Sequence, residues 1–249
     1  DRTWWLEFRR VLFRSPFQIF PDVQALYDQR AEELREITNQ RYAAYHEWAT
    51  ANPLAANEYE TFMRGEAPCV DWSEIMQKQN VATRAASANV FTFLSEHVGN
   101  MIVSSADLCN SDKTDGFLKH THVITPNDFT GRFLQAGVSE LTMACVCIGM
   151  ALHGGIIPAC GTFFVFSDYM KPAIRMAALM KIPSIFIFSH DSVNIGQDGP
   201  THQPVEQLLT LRSMPNLDVF RPADINEVIG TYKTIYEKTS SPAAICLSR

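Results

Sequence analysis

The sequence predicts an α/β fold, a doubly wound and mostly parallel sheet flanked by helices and preceded by a helical linker region. Short apolar runs alternate with helical patterns over the latter two thirds of the chain, as in parallel sheets. One long charged helical pattern precedes that alternation. The apolar run 185–188 leads into a polar loop punctuated by glycine and proline, which is where open α/β sheets bind ligands.

The predicted elements begin with a long helix over 22–52, in which acids alternate with bases as on a solvated helix face. A looser connector with short helical pieces follows over 52–73. Pro204 suits the first turn of the helix that follows the polar loop. The alternating part contains helices over 76–96, 140–152, 167–180, 203–214 and 225–237, and strands over 100–104, 132–135, 156–160, 184–188, 217–220 and 243–247.

The composition limits the classes of partner. The 249 residues are 46% hydrophobic and 19% charged, with a net charge of −6, which argues against nucleic acid as a partner. A small phosphorylated ligand stays possible, because it needs only a local group of cations. No apolar run reaches the roughly 20 residues of a membrane span, so no membrane partner is expected. Without a secretory signal, a cytoplasmic location is expected.

The six cysteines predict buried side chains that behave as small hydrophobes, and no zinc site. None of them forms a C-x-x-C pair. Cys145 and Cys147 lie two apart in a helical stretch, so they should point to different faces of the helix. The remaining four are Cys69, Cys109, Cys160 and Cys246.

The first 15 residues differ from the rest. Residues 6–15 resemble one reading frame of a common sequencing-library adapter, so we interpret 1–15 as a non-native segment. The alternative is a basic amphipathic arm. The remaining chain is predicted to divide into a helical linker region over 16–74 and an α/β domain over 75–249.

Two motifs could hold an aromatic ligand. Glu140 opens the apolar helix 140–152, where an acid is also favoured by the helix dipole alone. Phe163, Phe166 and Tyr169 recur at intervals of three, which predicts one stripe on a helical turn. Core packing alone would explain the stripe, and so would stacking against a flat heteroaromatic ring.

Other motifs could hold a sugar phosphate. Arg84 and Arg249 suit a phosphate because a planar guanidinium binds two of its oxygens. The polar loop carries His190, Asp198 and His202, and imidazole gives or takes a proton near neutral pH.

Together these motifs resemble those of the transketolases, which are thiamine-diphosphate enzymes. The likeness starts at Pro16-Phe17, which matches the tail of the family's diphosphate-binding domain, and covers 16–249. The matching runs are Ala-Thr-Arg at 82–84, Ser-Ala-Asp-Leu at 105–108 with Ser111, Gly-Thr-Phe-x-x-Phe-x-x-Tyr at 161–169, the loop 189–204, and Leu-Ser-Arg at 247–249.

The resemblance implies a role for each site residue. It makes Glu140 the acid that hydrogen-bonds the aminopyrimidine ring of the cofactor and promotes its reactive form, and His190 and His202 the other catalytic residues. The implied cofactor-binding residues are Asp107, Glu140, Phe163, Phe166 and Tyr169. The implied substrate-binding residues are Arg84, Ser111, His190, Asp198, His202 and Arg249.

The sequence departs from the family pattern beside Glu140. Transketolases usually read Gly-Val-Arg-Glu-His-Ala-Met, whereas residues 137–143 read Gly-Val-Ser-Glu-Leu-Thr-Met. Ser139 and Leu141 thus replace two charged neighbours, which affects the local dimer contacts that the family makes. Val103 and Ser104 replace the usual glycines before the Ser-Ala-Asp-Leu run.

The implied reaction transfers a two-carbon ketol unit from a ketose phosphate to an aldose phosphate in the pentose phosphate pathway. The implied cofactors are thiamine diphosphate and Mg²⁺ or another divalent cation, and the implied assembly is a homodimer. The family's Gly-Asp-Gly motif for metal and diphosphate does not occur in the sequence, so we expect no metal ligands here and an inactive fragment. The alternatives are another thiamine enzyme (deoxyxylulose-phosphate synthase or a 2-oxoacid dehydrogenase β-type chain) and a split-gene partner subunit.

Overall fold

The computed structural model describes residues 19–76, 78–237 and 240–249. The chain divides into two compact units, one ending at Glu58 and one running from Tyr59 to Arg249. The segment 1–15, which the sequence predicts to be non-native, lies outside the described residues. Within the described part of the chain, no helix combines the length and the apolar character that a membrane span requires.

The first unit consists mainly of helix α1, Pro21–Ala51, and confirms the predicted long helix. Proline occupies its first turn, where a missing N–H costs nothing. No residue of α1 is buried, and its surface carries short-range ion pairs such as Arg30–Glu33 at 2.9 Å. Helix α2, Pro53–Met63, is one of the short helical pieces expected in the connector.

The second unit contains a six-stranded, all-parallel sheet with the strand order β2-β1-β3-β4-β6-β5. This architecture confirms the predicted doubly wound fold. The strands are β1 Met101–Ser105, β2 Phe133–Gln135, β3 Ile157–Phe163, β4 Ile185–Ser189, β5 Asp218–Phe220 and β6 Ala243–Leu247. The helices are α3 Thr83–His97, α4 Cys109–Asp112, α5 Glu140–His153, α6 Ser167–Met180, α7 Gln207–Arg212 and α8 Ile225–Glu237.

Alternate strand residues serve two hydrophobic clusters, because successive side chains of a strand point to opposite faces. In β4, Ile185 and Ile187 pack with residues of α3 and α8. Phe186 and Phe188 pack with residues of α5 and α6. Burying each of these large side chains contributes about 1.5–3 kcal/mol. The sheet is therefore covered by helices on both faces and fixes the positions of the loops at its ends.

Helix α3 begins later than the sequence predicts. Residues 76–82 were expected to be helical, but Asn80 has φ 57° and Ala82 is extended. The Thr83 amide donates to Ser248 Oγ at 3.0 Å and starts the helix there. A contact 165 residues away in sequence thus sets this boundary.

Strand β3 is longer than predicted and runs to Phe163 instead of Cys160. Its last residues pair in register with β4, with Gly161 opposite Ile187 and Phe163 opposite Ser189. A 3₁₀ turn, Phe164–Phe166, then leads into α6. The prediction that Phe163, Phe166 and Tyr169 share one helical turn is therefore wrong, since they belong to a strand, a turn and a helix.

The helix after the polar loop is shorter than predicted. It begins at Gln207 instead of residue 203 and ends at Arg212, so Pro204 lies before its first turn. A 3₁₀ turn, Pro200–His202, comes first, and Gln203 is extended. The Gln207 side chain accepts from the Val205 amide at 2.8 Å and donates to Asp168 at 3.0 Å, which ties the start of α7 to α6.

Only half of the six cysteines fit the prediction of burial. Cys147, Cys160 and Cys246 are buried, whereas Cys69 and Cys145 are exposed and Cys109 is half-buried. Cys145 and Cys147 do point to different faces of α5, as their spacing requires. Helix α5 carries apolar residues on both of its faces, so its composition alone could not tell which cysteine faces the core.

Candidate functional site

The predicted site residues come together at the carboxyl edge of the sheet. Asp107 lies just beyond β1, His190 directly follows β4, and Arg249 is two residues beyond β6. Glu140 begins α5, five residues after the end of β2, and Phe163 ends β3. Strand β1 lies between β2 and β3 in the sheet. The chain runs from β1 to β2 on one side and then crosses to β3 on the other side. Ligands of open α/β sheets bind at such a switch point.

A backbone clasp brings the two predicted phosphate-binding arginines to one place. The Ser248 amide donates to Thr83 Oγ1 at 2.7 Å, and the Arg84 amide donates to the Ser248 carbonyl at 3.2 Å. The start of α3 is thereby fixed against the end of β6. As a result Arg84 and Arg249, distant in sequence, reach the same group of side chains.

Arg84, His190, Asp198 and Arg249 form what we call the charged cluster. Nη1 of Arg84 donates to the carbonyl of Ser111 at 2.9 Å and lies 3.3 Å from Nε2 of His190. The same His190 nitrogen is 3.8 Å from Oδ2 of Asp198. Asp198 also forms an ion pair with Arg249. The cluster therefore holds two guanidinium groups whose charge is only partly balanced by one carboxylate.

His190 is the most constrained residue of the cluster. It is buried and has a left-handed backbone with φ 60°. Burial, together with the charges of Arg84 and Arg249, lowers its pKa to about 4. Its ring is therefore neutral at pH 7. Because Arg84 can only donate, Nε2 is the acceptor, and Nδ1 donates to Ser189 Oγ at 2.8 Å.

Phe163, Phe166 and Tyr169 form what we call the aromatic row. The first two rings are nearly parallel, with centroids 6.0 Å apart, and the third follows at 6.1 Å. His202 lies 5.3 Å from the ring of Phe166, and His190 lies 3.8 Å from that of Phe163. The row thus continues into the charged cluster at one end, while Tyr169 at the other end is 62% exposed. A flat aromatic ligand would find stacking surface here.

Glu140 is the acid that best fits a basic heterocycle. It is only 9% exposed, and its carboxylate has no hydrogen bond or ion pair with any described residue. Its oxygens are not among the fully buried polar atoms that lack a partner in the described residues, so a ligand that donates a hydrogen bond can reach the carboxylate. An aminopyrimidine ring has such donors, and the residues present therefore fit the pyrimidine part of thiamine diphosphate.

Asp107 lies just after β1 and Ser111 lies in the short helix α4, whose last residue, Asp112, was missed by the sequence analysis. Asp107 is exposed with φ 64°. Asp112 is buried, and it accepts hydrogen bonds from Ser105 Oγ at 2.7 Å and from Thr114 at 2.7–2.9 Å. Burial raises the pKa of Asp112. An acid in a polar stretch gives no sequence signal of burial, so only the tertiary packing reveals that Asp112 is buried.

The loop after β1 is packed closely against β3. A Cβ on Gly161 would lie 2.5 Å from the Thr114 methyl group, so only glycine fits there. This explains the glycine of the Gly-Thr-Phe run by packing, independently of any ligand. Among the described residues, no group of His, Cys, Asp and Glu side chains could hold a metal ion.

Comparison with known proteins gives the family. The family model described as "Transketolase, pyrimidine binding domain" matches residues 79–249. The transketolase of Halalkalibacterium halodurans is 40% identical over 244 residues, which are 95% of this chain and 36% of that protein. The chain thus spans about a third of the length of the curated relatives it matches.

Similar solved structures are transketolases as well. A transketolase from Leishmania mexicana matches with a TM-score of 0.86 at 31% identity, covering 94% of this chain and 35% of that one. A Pichia stipitis transketolase in complex with sedoheptulose 7-phosphate matches at 0.83 and 32% identity, over 94% of this chain and 36% of that one. A split-gene transketolase, described as an inactive β4 tetramer, matches at 0.55 and 29% identity, over 68% of this chain and 52% of that one. This chain belongs to the transketolase pyrimidine-binding domain family.

Proposed function

We propose that this chain supplies the pyrimidine-binding side and much of the sugar-phosphate site of a transketolase. The reaction is the transfer of a two-carbon ketol unit from a ketose phosphate to an aldose phosphate, in the pentose phosphate pathway. One observation carries the proposal: a buried, unpartnered Glu140, the aromatic row and the two arginines of the charged cluster all lie at one edge of one sheet. That combination suits an aromatic cofactor beside a phosphorylated substrate.

Thiamine diphosphate, when bound, supplies the nucleophilic carbon for breaking and forming the C–C bond. Glu140 would accept a hydrogen bond from the aminopyrimidine and hold or return a proton there. Phe163, Phe166 and Tyr169 would stack against the ring and keep water from it. Asp107 would lie beside the cofactor at the end of β1. The described residues offer no metal site, so we assign Mg²⁺ or another divalent cation to the diphosphate domain.

The charged cluster would bind the sugar phosphate. Arg84, Arg249 and the Ser111 hydroxyl would bind the phosphate oxygens, with the two guanidinium groups binding them as planar donors. His190 is neutral at pH 7, so its Nε2 would accept a hydrogen bond from a sugar hydroxyl without a charge penalty. Asp198 would orient a second hydroxyl. His202, beside the aromatic row, would reach the hydroxyl next to the bond that breaks.

We also propose a homodimer for the intact protein. Helices α5 and α6 expose apolar side chains that a second copy would cover, including Leu141, Leu152 and Leu179 at 46%, 58% and 59%. Leu141 directly follows Glu140, so such an interface would also shield the acid from water. Ser139 and Leu141, which replace charged residues of the family pattern, make this interface less polar.

We expect the 249-residue chain to be inactive alone. It spans about a third of its relatives, and the similar split-gene transketolase is described as inactive. The linker region 16–74 and the domain 75–249 remain our division of the chain. A cytoplasmic location also stays a prediction, which cell fractionation would check.

A donor assay tests the proposed reaction. The intact protein should transfer two carbons from xylulose 5-phosphate to ribose 5-phosphate and should not use pyruvate as donor. Preference for pyruvate would favour the two other thiamine enzymes instead. If the neighbouring gene encodes the diphosphate domain as a separate chain, mixing the two purified chains should restore activity, as the split-gene alternative requires. No turnover by either preparation would contradict the proposal.

A further inference from the structure

An ion pair with no role so far lies next to the charged cluster. Nε of Arg221 donates to Oδ2 of Asp191 at 2.6 Å, and the Asp191 side chain is only 9% exposed. Asp191 directly follows His190 in the loop after β4, whereas Arg221 directly follows β5. In the sheet, β6 lies between these two strands. The pair therefore connects two loops across the end of β6.

The charges around Cys246 place this ion pair near the end of β6. Burial and, less strongly, the nearby charge of Asp191 raise the pKa of the Cys246 thiol in β6 to about 12, while Arg221 and Arg212 lower it. Asp191 thus lies close above β6. The charges that act on His190, by contrast, come from Arg84, Arg249, Asp198 and His202. Asp191 is joined to His190 by a peptide bond, so the hold of Arg221 on Asp191 can reach His190 through that backbone.

His190 needs such a restraint. Its φ of 60° lies in the left-handed region, which is unfavourable for a residue with a Cβ. On one side Ser189 hydrogen-bonds its ring at Nδ1. On the other side the chain continues into Asp191, which Arg221 holds. Between these two attachments the ring packs 3.8 Å from Phe163 and presents Nε2 to Arg84.

We propose that Arg221 is a positioning residue, whose ion pair with Asp191 keeps His190 in the left-handed conformation that presents its Nε2 to Arg84 and Asp198. This inference rests on the proposed function, since it concerns a residue of that substrate site. Without the ion pair, the loop would relax and the His190 ring would move toward water. The ring would then leave the guanidinium groups that disfavour its charged form.

Two variants separate positioning from simple electrostatics. Arg221→Gln removes a positive charge and Asp191→Asn removes a negative one. Through space these changes would shift the pKa of His190 in opposite directions, upward for Arg221→Gln and downward for Asp191→Asn. Release of the ring shifts it upward in both, because hydration favours the charged imidazole. Arg221→Lys keeps the charge and part of the contact, so it should restore most of the wild-type behaviour.

The experiment is a histidine-ring NMR titration of the 249-residue chain. We expect the pKa of His190 to rise from about 4 toward 6.5 in both Arg221→Gln and Asp191→Asn, with the other histidines unchanged. Lys171→Gln, which breaks the 2.5 Å ion pair with Asp168 on α6, is the matched control and should leave His190 unchanged.

Opposite shifts in the two variants, or no shift in either, would overturn the inference. Loss of the folded spectrum in both variants would also overturn it, since the ion pair would then act on the fold as a whole. The titration needs no substrate and no turnover. A failure of the proposed reaction would therefore leave its result intact, and the two proposals can fail separately.

Discussion

The two parts of the carboxyl edge differ in how completely the chain itself satisfies them. In the charged cluster, each member has a partner within the chain: Arg84 donates to Ser111, and Asp198 pairs with Arg249. The aromatic row ends instead at Tyr169, which is 62% exposed, and Glu140 at the start of α5 has no polar partner among the described residues. The charged cluster is therefore satisfied within the chain, whereas the aromatic row and Glu140 are left open.

This difference indicates which part of the site the chain forms without a cofactor or a second protein surface. A cluster assembled in the folded chain needs little reorganisation to accept a phosphate, apart from loss of the Asp198–Arg249 ion pair. The open aromatic row and the unpartnered acid would require a cofactor and a second protein surface to become a closed site. From this contrast we expect the chain alone to bind a sugar phosphate weakly and to perform no reaction.

The largest expected effect on the assembled part comes from Arg84→Ala in the intact protein. Hydrogen bonds to a charged group contribute about 1.5–3 kcal/mol, so kcat/KM for xylulose 5-phosphate should fall about 10- to 100-fold. The loss should appear mainly in KM. A donor without phosphate, such as erythrulose, should be affected much less.

Arg212→Ala is the control for Arg84→Ala, because Arg212 is an exposed arginine at the end of α7. It should leave kcat/KM unchanged for both donors. Equal losses with the phosphorylated and the unphosphorylated donor would show that Arg84 does not bind the phosphate, and the contrast between the two parts of the site would then lose its basis.

A smaller effect is expected in the open part from Tyr169→Ala. Stacking between aromatic rings contributes about 0.5–1.5 kcal/mol beyond the buried area, so the Kd of thiamine diphosphate should rise about three- to tenfold in the intact protein. Tyr169→Phe keeps the ring and should bind as the wild type does. Quenching of the protein fluorescence during titration with the cofactor gives the Kd of both variants. A Kd unchanged by Tyr169→Ala would remove Tyr169 from the cofactor site.

A further effect concerns stability and pH. The pKa of His190 is about 4 in the folded chain and 6.5 for an ordinary histidine, so between these values the unfolded state binds more protons. The free energy of unfolding should therefore fall as the pH drops from 6.5 to 4. Urea unfolding should show a weaker fall in His190→Gln than in the wild type.

His153→Gln serves as the control for that pH dependence, because His153 is exposed at the end of α5. Its pH profile should follow that of the wild type. Identical profiles for His190→Gln and the wild type would mean that His190 titrates normally in the folded chain, which contradicts a tightly assembled charged cluster.

Much of the fold follows from local sequence. The alternation of short apolar runs and helical patterns predicts the parallel sheet. The errors fall where distant contacts decide. Ser248 fixes the start of α3, and pairing with β4 extends β3 to Phe163. Neither contact is visible in a local window of the sequence.

The candidate site was predicted from motifs, and its residues lie at the expected edge of the sheet. Motifs could not show the supporting residues. Asp112 is buried by tertiary packing and accepts hydrogen bonds from Thr114 and Ser105. Arg221 reaches the loop after β4 because β5 lies beside β6. Such residues carry ordinary side chains in ordinary sequence contexts, so only the folded arrangement distinguishes them.

Two-carbon transfer by the intact protein carrying Glu140→Gln tests the role of Glu140 most directly. The amide keeps the size of the side chain and removes its proton-holding group, so turnover should fall about 10²- to 10⁴-fold. Glu227→Gln is the control, since Glu227 also stands in the first turn of a helix but only caps the Ala223 amide at 2.7 Å. It should remain fully active. Wild-type turnover by Glu140→Gln would contradict the assignment of Glu140 as the acid that activates the cofactor.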